Sequence, residues 1–95
     1  MLCLVKPGEA LRTIKSMVAA GNWIIRSHVF RDHPERAINA TEVQNALLAS
    51  FEIALEVPPA TYRVTGPAAT FGTKLVSIVS IEERAVVVTV WRRTR

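Results

Sequence analysis

The sequence predicts an α+β domain in which helices from the first half pack on an antiparallel sheet of about four strands from the second. Three observations predict it. Apolar residues recur at helical spacing up to about residue 50, they alternate with polar ones from Phe51 onward, and the alternating segments are joined by short connections. Strands joined that closely pair antiparallel, because a parallel crossover needs a dozen residues or more. Helices grouped before strands give a layered α+β arrangement.

The first helix starts at Pro7, Gly8 and Glu9, since proline is tolerated in a first turn and an acid there complements the helix dipole. Leu11, Ile14, Met17 and Val18 fall on one helical face, Arg12, Lys15 and Ser16 fall off it, and Gly21 supplies the stop. Trp23, Ile24 and Ile25 form either a strand stub or the lead into a second helical segment. Pro34 argues against one continuous helix over 27–37, because an interior proline removes a hydrogen bond and clashes with the preceding turn. Asp32 and Glu35 have capping-box spacing, which lets a new helix start there with Pro34 in its first turn. Asn39 and Glu42 repeat that spacing ahead of Val43, Ala46 and Leu47, predicting a short helix over 41–50.

In the second half Phe51, Ile53, Leu55 and Val57 alternate with Glu52, Ala54 and Glu56, the period of a half-buried strand ended by Pro58 and Pro59. Strands follow over 61–65, 74–81 and 85–91, with a small-residue loop beginning at Gly66 and a turn at Glu82 and Glu83. Val86, Val87 and Val88 are apolar on both faces, which places the last strand inside the sheet. The 95 residues read as a single domain, 1–95: helical over about 8–50, sheet over about 51–91, and a basic C-terminal tail at 92–95.

Composition narrows the function classes. The chain is 49% hydrophobic and 21% charged, enough apolar material for a core and against intrinsic disorder. The lone Cys3 forms no intrachain disulfide. Met1 to Val5 are apolar, but Lys6, Glu9, Arg12 and Lys15 interrupt the ~7–15-residue apolar core of a signal peptide. No apolar run reaches the ~18 residues of a membrane span, so no membrane role and a cytoplasmic location are the expectation. A net charge of +4 and a pI near 10.0 suit anionic partners such as RNA, DNA or an acidic protein, and equally serve ordinary solubility.

No glycine-rich phosphate loop, cysteine pair or His–Glu metal spacing is present, and no cofactor is expected. His28 and His33, without a third ligand at matching spacing, make no zinc site. Both lie in the densest polar cluster, with Arg26, Ser27, Arg31, Asp32, Glu35 and Arg36. A histidine among arginines suits RNA cleavage by transphosphorylation: imidazole moves protons near neutrality, and guanidinium forks stabilise the phosphorane charge. The plain alternative is a solvated turn of local Arg–Asp and Arg–Glu pairs. Arg63, Lys74, Arg84, Arg92, Arg93 and Arg95 add positive charge from the sheet and its end. Tyr62 offers a hydroxyl or a stacking ring, although strand alternation more often buries such a tyrosine. Trp23 and Trp91 read as core residues rather than stacking platforms.

His28, Arg36, Ile38, Val43, Ala46 and Leu47 stand at intervals that resemble a bacterial domain-of-unknown-function branch of the RelE/BrnT-like toxin group. Its pattern is a His, an Arg four residues on, and an Arg-Gly-Ile after four more. A short helix carrying Val and Ala-Leu follows, then a Tyr-x-x-x-Gly segment and a hydrophobic hairpin. Tyr62 and Gly66 match the middle segment, and 76–81 with 86–90 match the hairpin. Asp32 stands where the pattern has its first Arg, with Arg31 one residue earlier, and Ala37 replaces the Gly. The resemblance covers roughly 23–91. It implies a RelE-like fold with a curved antiparallel sheet and metal-independent endoribonuclease activity of the mRNA-interferase type. It also implies RNA or the ribosome, and a neighbouring antitoxin, as partners.

The site expected on this basis has His28 in proton transfer and Arg31, Arg36 and Arg63 on the phosphate. Tyr62, Lys74, Arg92 and Arg93 are the candidate substrate-binding residues. The alternative is a non-catalytic basic module that binds a protein or nucleic acid. A homodimer through the edge of 51–57 is a third reading, and the alternating glutamates oppose it.

Overall fold

The computed structural model describes residues 7–26, 38–57, 61–69 and 72–94. In chain order these form α1 (Pro7–Ala19), β1 (Trp23–Ile25), α2 (Ala40–Leu48), β2 (Glu52–Val57), β3 (Thr61–Pro67), β4 (Thr73–Ile81) and β5 (Ala85–Thr94). The five strands make one sheet in the order β1-β5-β4-β3-β2, and the α+β class is as the sequence predicts.

Helix α1 buries Ala10, Ile14 and Val18, one residue per turn, with Leu11 and Met17 packed beside them. It ends as Gly21 implies. Gly21 takes a φ of 78°, and the Asn22 and Gly21 N–H groups donate to the Met17 and Val18 carbonyls. Helix α2 begins at the predicted cap, where the Asn39 side chain accepts a bond from the Glu42 N–H at 2.8 Å. It stops at Leu48, short of the expected Ser50, whose hydroxyl instead donates to the Leu47 carbonyl. Val43, Ala46 and Leu47 face the sheet.

The sheet corrects three expectations. Among the described residues it has five strands against about four expected, and it is mixed, because Trp23, Ile24 and Ile25 form the strand stub and pair parallel with Ala85, Val86 and Val87. Adjacency in sequence favours antiparallel pairing only for neighbouring strands, and β1 reaches β5 after most of the chain has intervened. β5 therefore lies inside the sheet, between β1 and β4, as its run of valines requires. Second, Arg92 and Arg93 belong to β5 and pair with Leu75 and Lys74 rather than forming a tail. Third, Trp91 is not part of the helix-facing core. Its partner Val76 alternates with core-facing Leu75 and Ser77, so Trp91 lies on the other face.

The core lies between the helices and one sheet face, centred on Ile14, Leu47, Tyr62, Val64, Leu75, Val79, Val87 and Val90. Gly66 is where α2 comes closest to the sheet. A Cβ at that position would stand 2.1 Å from the Ala46 carbonyl oxygen, so the absence of a side chain sets the approach.

Candidate nucleic-acid interface

Both described helices lie on one side of the sheet, so strand alternation sorts the candidate residues onto two faces. The helix face takes Tyr62, Val64 and Gly66 of β3, Leu75, Ser77 and Val79 of β4, and Val87, Val90 and Arg92 of β5. The opposite face takes Arg63 and Thr65 of β3, Lys74 and Val76 of β4, and Trp91 and Arg93 of β5. A register shift between Ile78 and Val79 keeps the two ends of β5 in phase with the core.

Register also brings two cations together. Lys74 and Arg93 are directly opposite each other on adjacent strands and share a face. Like charges in that relation repel. Among the described residues no carboxylate lies within ion-pair distance of either. Lys74 instead holds its ammonium 5.7 Å from the centre of the Phe51 ring, within cation–π range. Phe51 is 57% exposed, and Trp91, two residues before Arg93, is half-buried on the same face as that arginine.

Arg93 lines a small cleft of about 130 Å³ together with Glu52, Ile53, Ala54, Arg63 and Thr65. Those other residues belong to β2 and β3, so the Arg93 side chain reaches across β4 toward them. Val76 and Thr65, on the face opposite the two described helices, are buried as well. Arg63 is exposed and pairs with Glu56 at 3.3 Å. The cleft thus carries both signs, with Glu52 and Arg63 on its far wall and Arg93 on its near wall.

Two further candidates, Tyr62 and Arg92, are placed apart from this face. Tyr62 is fully buried in the core, where strand alternation alone puts it. Arg92 points to the helix side and clasps Glu42, Nη1 to Oε2 at 2.5 Å and Nη2 to Oε1 at 3.1 Å. The Ala69 N–H donates to the same carboxylate at 2.8 Å, joining α2, β5 and the loop after β3. The Arg92 hydrogen bond is the main reason the Glu42 carboxyl ionises below the usual range, with the Ala69 N–H adding to it against the effect of burial. Asn39 takes the helix-capping role alone, because the Glu42 carboxylate turns away to this pair. His28, Arg31 and Arg36 lie outside the described residues, as does the predicted cap at Asp32 and Glu35. The chain enters that stretch from Arg26, whose N–H donates to Val87, with its guanidinium 3.9 Å from Glu82.

Among the described residues no group of three or more His, Cys, Asp or Glu is arranged to hold a metal ion, and no helix is long and apolar enough to cross a membrane. The pairing of Lys74 with Arg93 was invisible before the register was known. The separation of Arg92 from Arg93 was not, because adjacent strand residues always face opposite ways. In comparisons with protein-family models, curated proteins and solved structures, none matches this chain.

Proposed function

We propose that the sheet face opposite the two described helices binds single-stranded RNA, and that the protein is a metal-independent ribonuclease toxin of the RelE-like type. The observation that carries the binding half is the facing pair Lys74 and Arg93, two cations opposed across adjacent strands without an acidic partner among the described residues. A phosphate between them would relieve their repulsion, and Arg63 lies on the same face to meet a second. Phe51 and Trp91 offer ring surface beside the cations, the combination that single-strand binders use.

The cleavage half rests on the resemblance and on the His/Arg cluster. His28 would move the proton, with Arg31, Arg36 and Arg63 on the phosphate, and RNA, the ribosome and an antitoxin are the partners implied. A second reading, a binding module without turnover, draws on the surroundings of Arg63. Among the described residues its partner is Glu56, and the cleft it lines also holds Glu52, so two carboxylates compete with a phosphate for it.

Mixed-sequence single-stranded RNA in excess EDTA tests both halves. Wild type should bind with an affinity that falls as salt rises from about 50 to 200 mM, the log–log slope losing about 0.7 for each phosphate contact removed. Arg93→Ala and Lys74→Ala should each flatten that slope, and unchanged slopes would defeat the binding surface. Cleavage abolished by His28→Ala and by Arg36→Ala would support the nuclease. RNA left intact by folded wild type, alone and on ribosomes, leaves the binding module.

A further inference from the structure

We propose that the outer edge of β2 is a docking site for an extended segment of a partner protein in which basic and apolar residues alternate, added to the sheet as one further strand. β2 closes the strand order at one side, and among the described residues it pairs only with β3. Its outward N–H and C=O groups are therefore a template for another strand. The opposite edge, β1, is three described residues long, whereas β2 offers six, regular from Glu52 to Leu55 and shifted in register between Leu55 and Val57.

The two sides of β2 differ in chemistry, and the difference selects the partner. One side carries Ile53 and the 40% exposed Leu55. The other carries Glu52, Ala54 and Glu56, both glutamates exposed. A second copy of this chain is the wrong occupant. Two-fold antiparallel pairing keeps the faces aligned, so a register centred on Ala54 sets Glu52 against Glu56. Registers centred on either glutamate set it against itself, and those centred on Ile53 or Leu55 leave both glutamates facing uncharged residues, so no register gives either carboxylate a cation. Like charges directly opposite are destabilising. The same carboxylates attract lysine or arginine in those positions, so what excludes self-pairing favours a basic strand.

Arg63 already meets Glu56 at 3.3 Å from the inner side. The Glu56 side chain nevertheless remains 37% exposed, and a carboxylate accepts more hydrogen bonds than one arginine supplies. Glu52 has no cation within ion-pair distance among the described residues. An incoming strand would thus place cations opposite Glu52 and Glu56 and apolar side chains opposite Ile53 and Leu55. The inference does not depend on the RNA reading, since a toxin and a binding module present the same edge.

The test titrates the isotopically labelled full chain with three blocked hexapeptides while its amide spectrum is followed. The first alternates lysine and valine, the second alternates glutamate and valine, and the third has the lysines and valines in separate blocks. The alternating lysine peptide should bind saturably, with shifts concentrated on the amides of 52–57, and both controls should bind about tenfold more weakly or worse. The doubly substituted chain Glu52→Lys, Glu56→Lys should exchange its preference for that of the glutamate peptide. Absence of saturable shifts, shifts confined to Lys74, Trp91 and Arg93, or an equal response to the blocked-charge control would each overturn the proposal. Those comparisons on wild type decide it even where the double variant fails to fold.

Discussion

Glu42 is the single side chain whose removal should weaken the fold most selectively through charge. Its carboxylate is 7% exposed, accepts two bonds from Arg92 and a third from the Ala69 N–H, and the Arg92 side chain is 23% exposed. Breaking one partner out of a fully buried pair costs about 3–5 kcal/mol. Arg92 keeps some access to water here, and glutamine can retain one weaker bond, so Glu42→Gln should cost about 2 kcal/mol at neutral pH. For a domain of this size that lowers Tm by about 8–16 °C. The effect also has a pH signature. Glu42 in the folded chain ionises below the ordinary value of 4.5, chiefly because of Arg92, so the folded state holds the proton less well than the unfolded state. Its contribution is therefore complete above about pH 4.5 and is lost as pH falls through the lowered folded value. Denaturant unfolding of wild type and the variant at about pH 7 and pH 3 measures both, since the other carboxylates titrate alike in the two proteins. A gap below about 0.5 kcal/mol at pH 7, or one of equal size at pH 3, would refute the reasoning.

Gly66→Ala should destabilise by about 1–3 kcal/mol in thermal unfolding, because the new methyl overlaps the Ala46 carbonyl and must push α2 from β3. Ser77→Ala should leave stability unchanged or raise it by up to about 1 kcal/mol, since the buried Ser77 hydroxyl has no hydrogen-bond partner to lose. Arg92→Ala and Arg93→Ala should separate cleanly although the two are neighbours. The first should lower Tm through the loss of the Glu42 bonds, while the second should leave Tm within a few degrees and weaken RNA binding.

Much of the architecture was legible in the residues because the signals involved are local. The helical spacing of Ile14 and Val18, the stop at Gly21 and the cap at Asn39 each depend on a few adjacent residues. The alternation from Ile53 to Leu55 and the two-sided valine run of β5 report which faces meet apolar surroundings, and the valine run puts β5 inside. The burial of Tyr62 follows from the same alternation. Less was legible of the candidate site. Only Arg63, Lys74 and Arg93 of the expected basic residues share one described face, and Trp91, read as a core residue, lies on that face outside the helix-facing core.

The sequence by itself therefore determined the α+β class, the caps of the helices and the residues that seek the core, because propensity and periodicity act over a turn or a strand. Only the tertiary structure decided that β1 joins β5 in parallel, that Arg92 reaches Glu42, and that Lys74 faces Arg93. Each of those joins elements distant along the chain. Strand order and register are set by how separate apolar faces fit together, and no local pattern encodes which partner a strand end will meet.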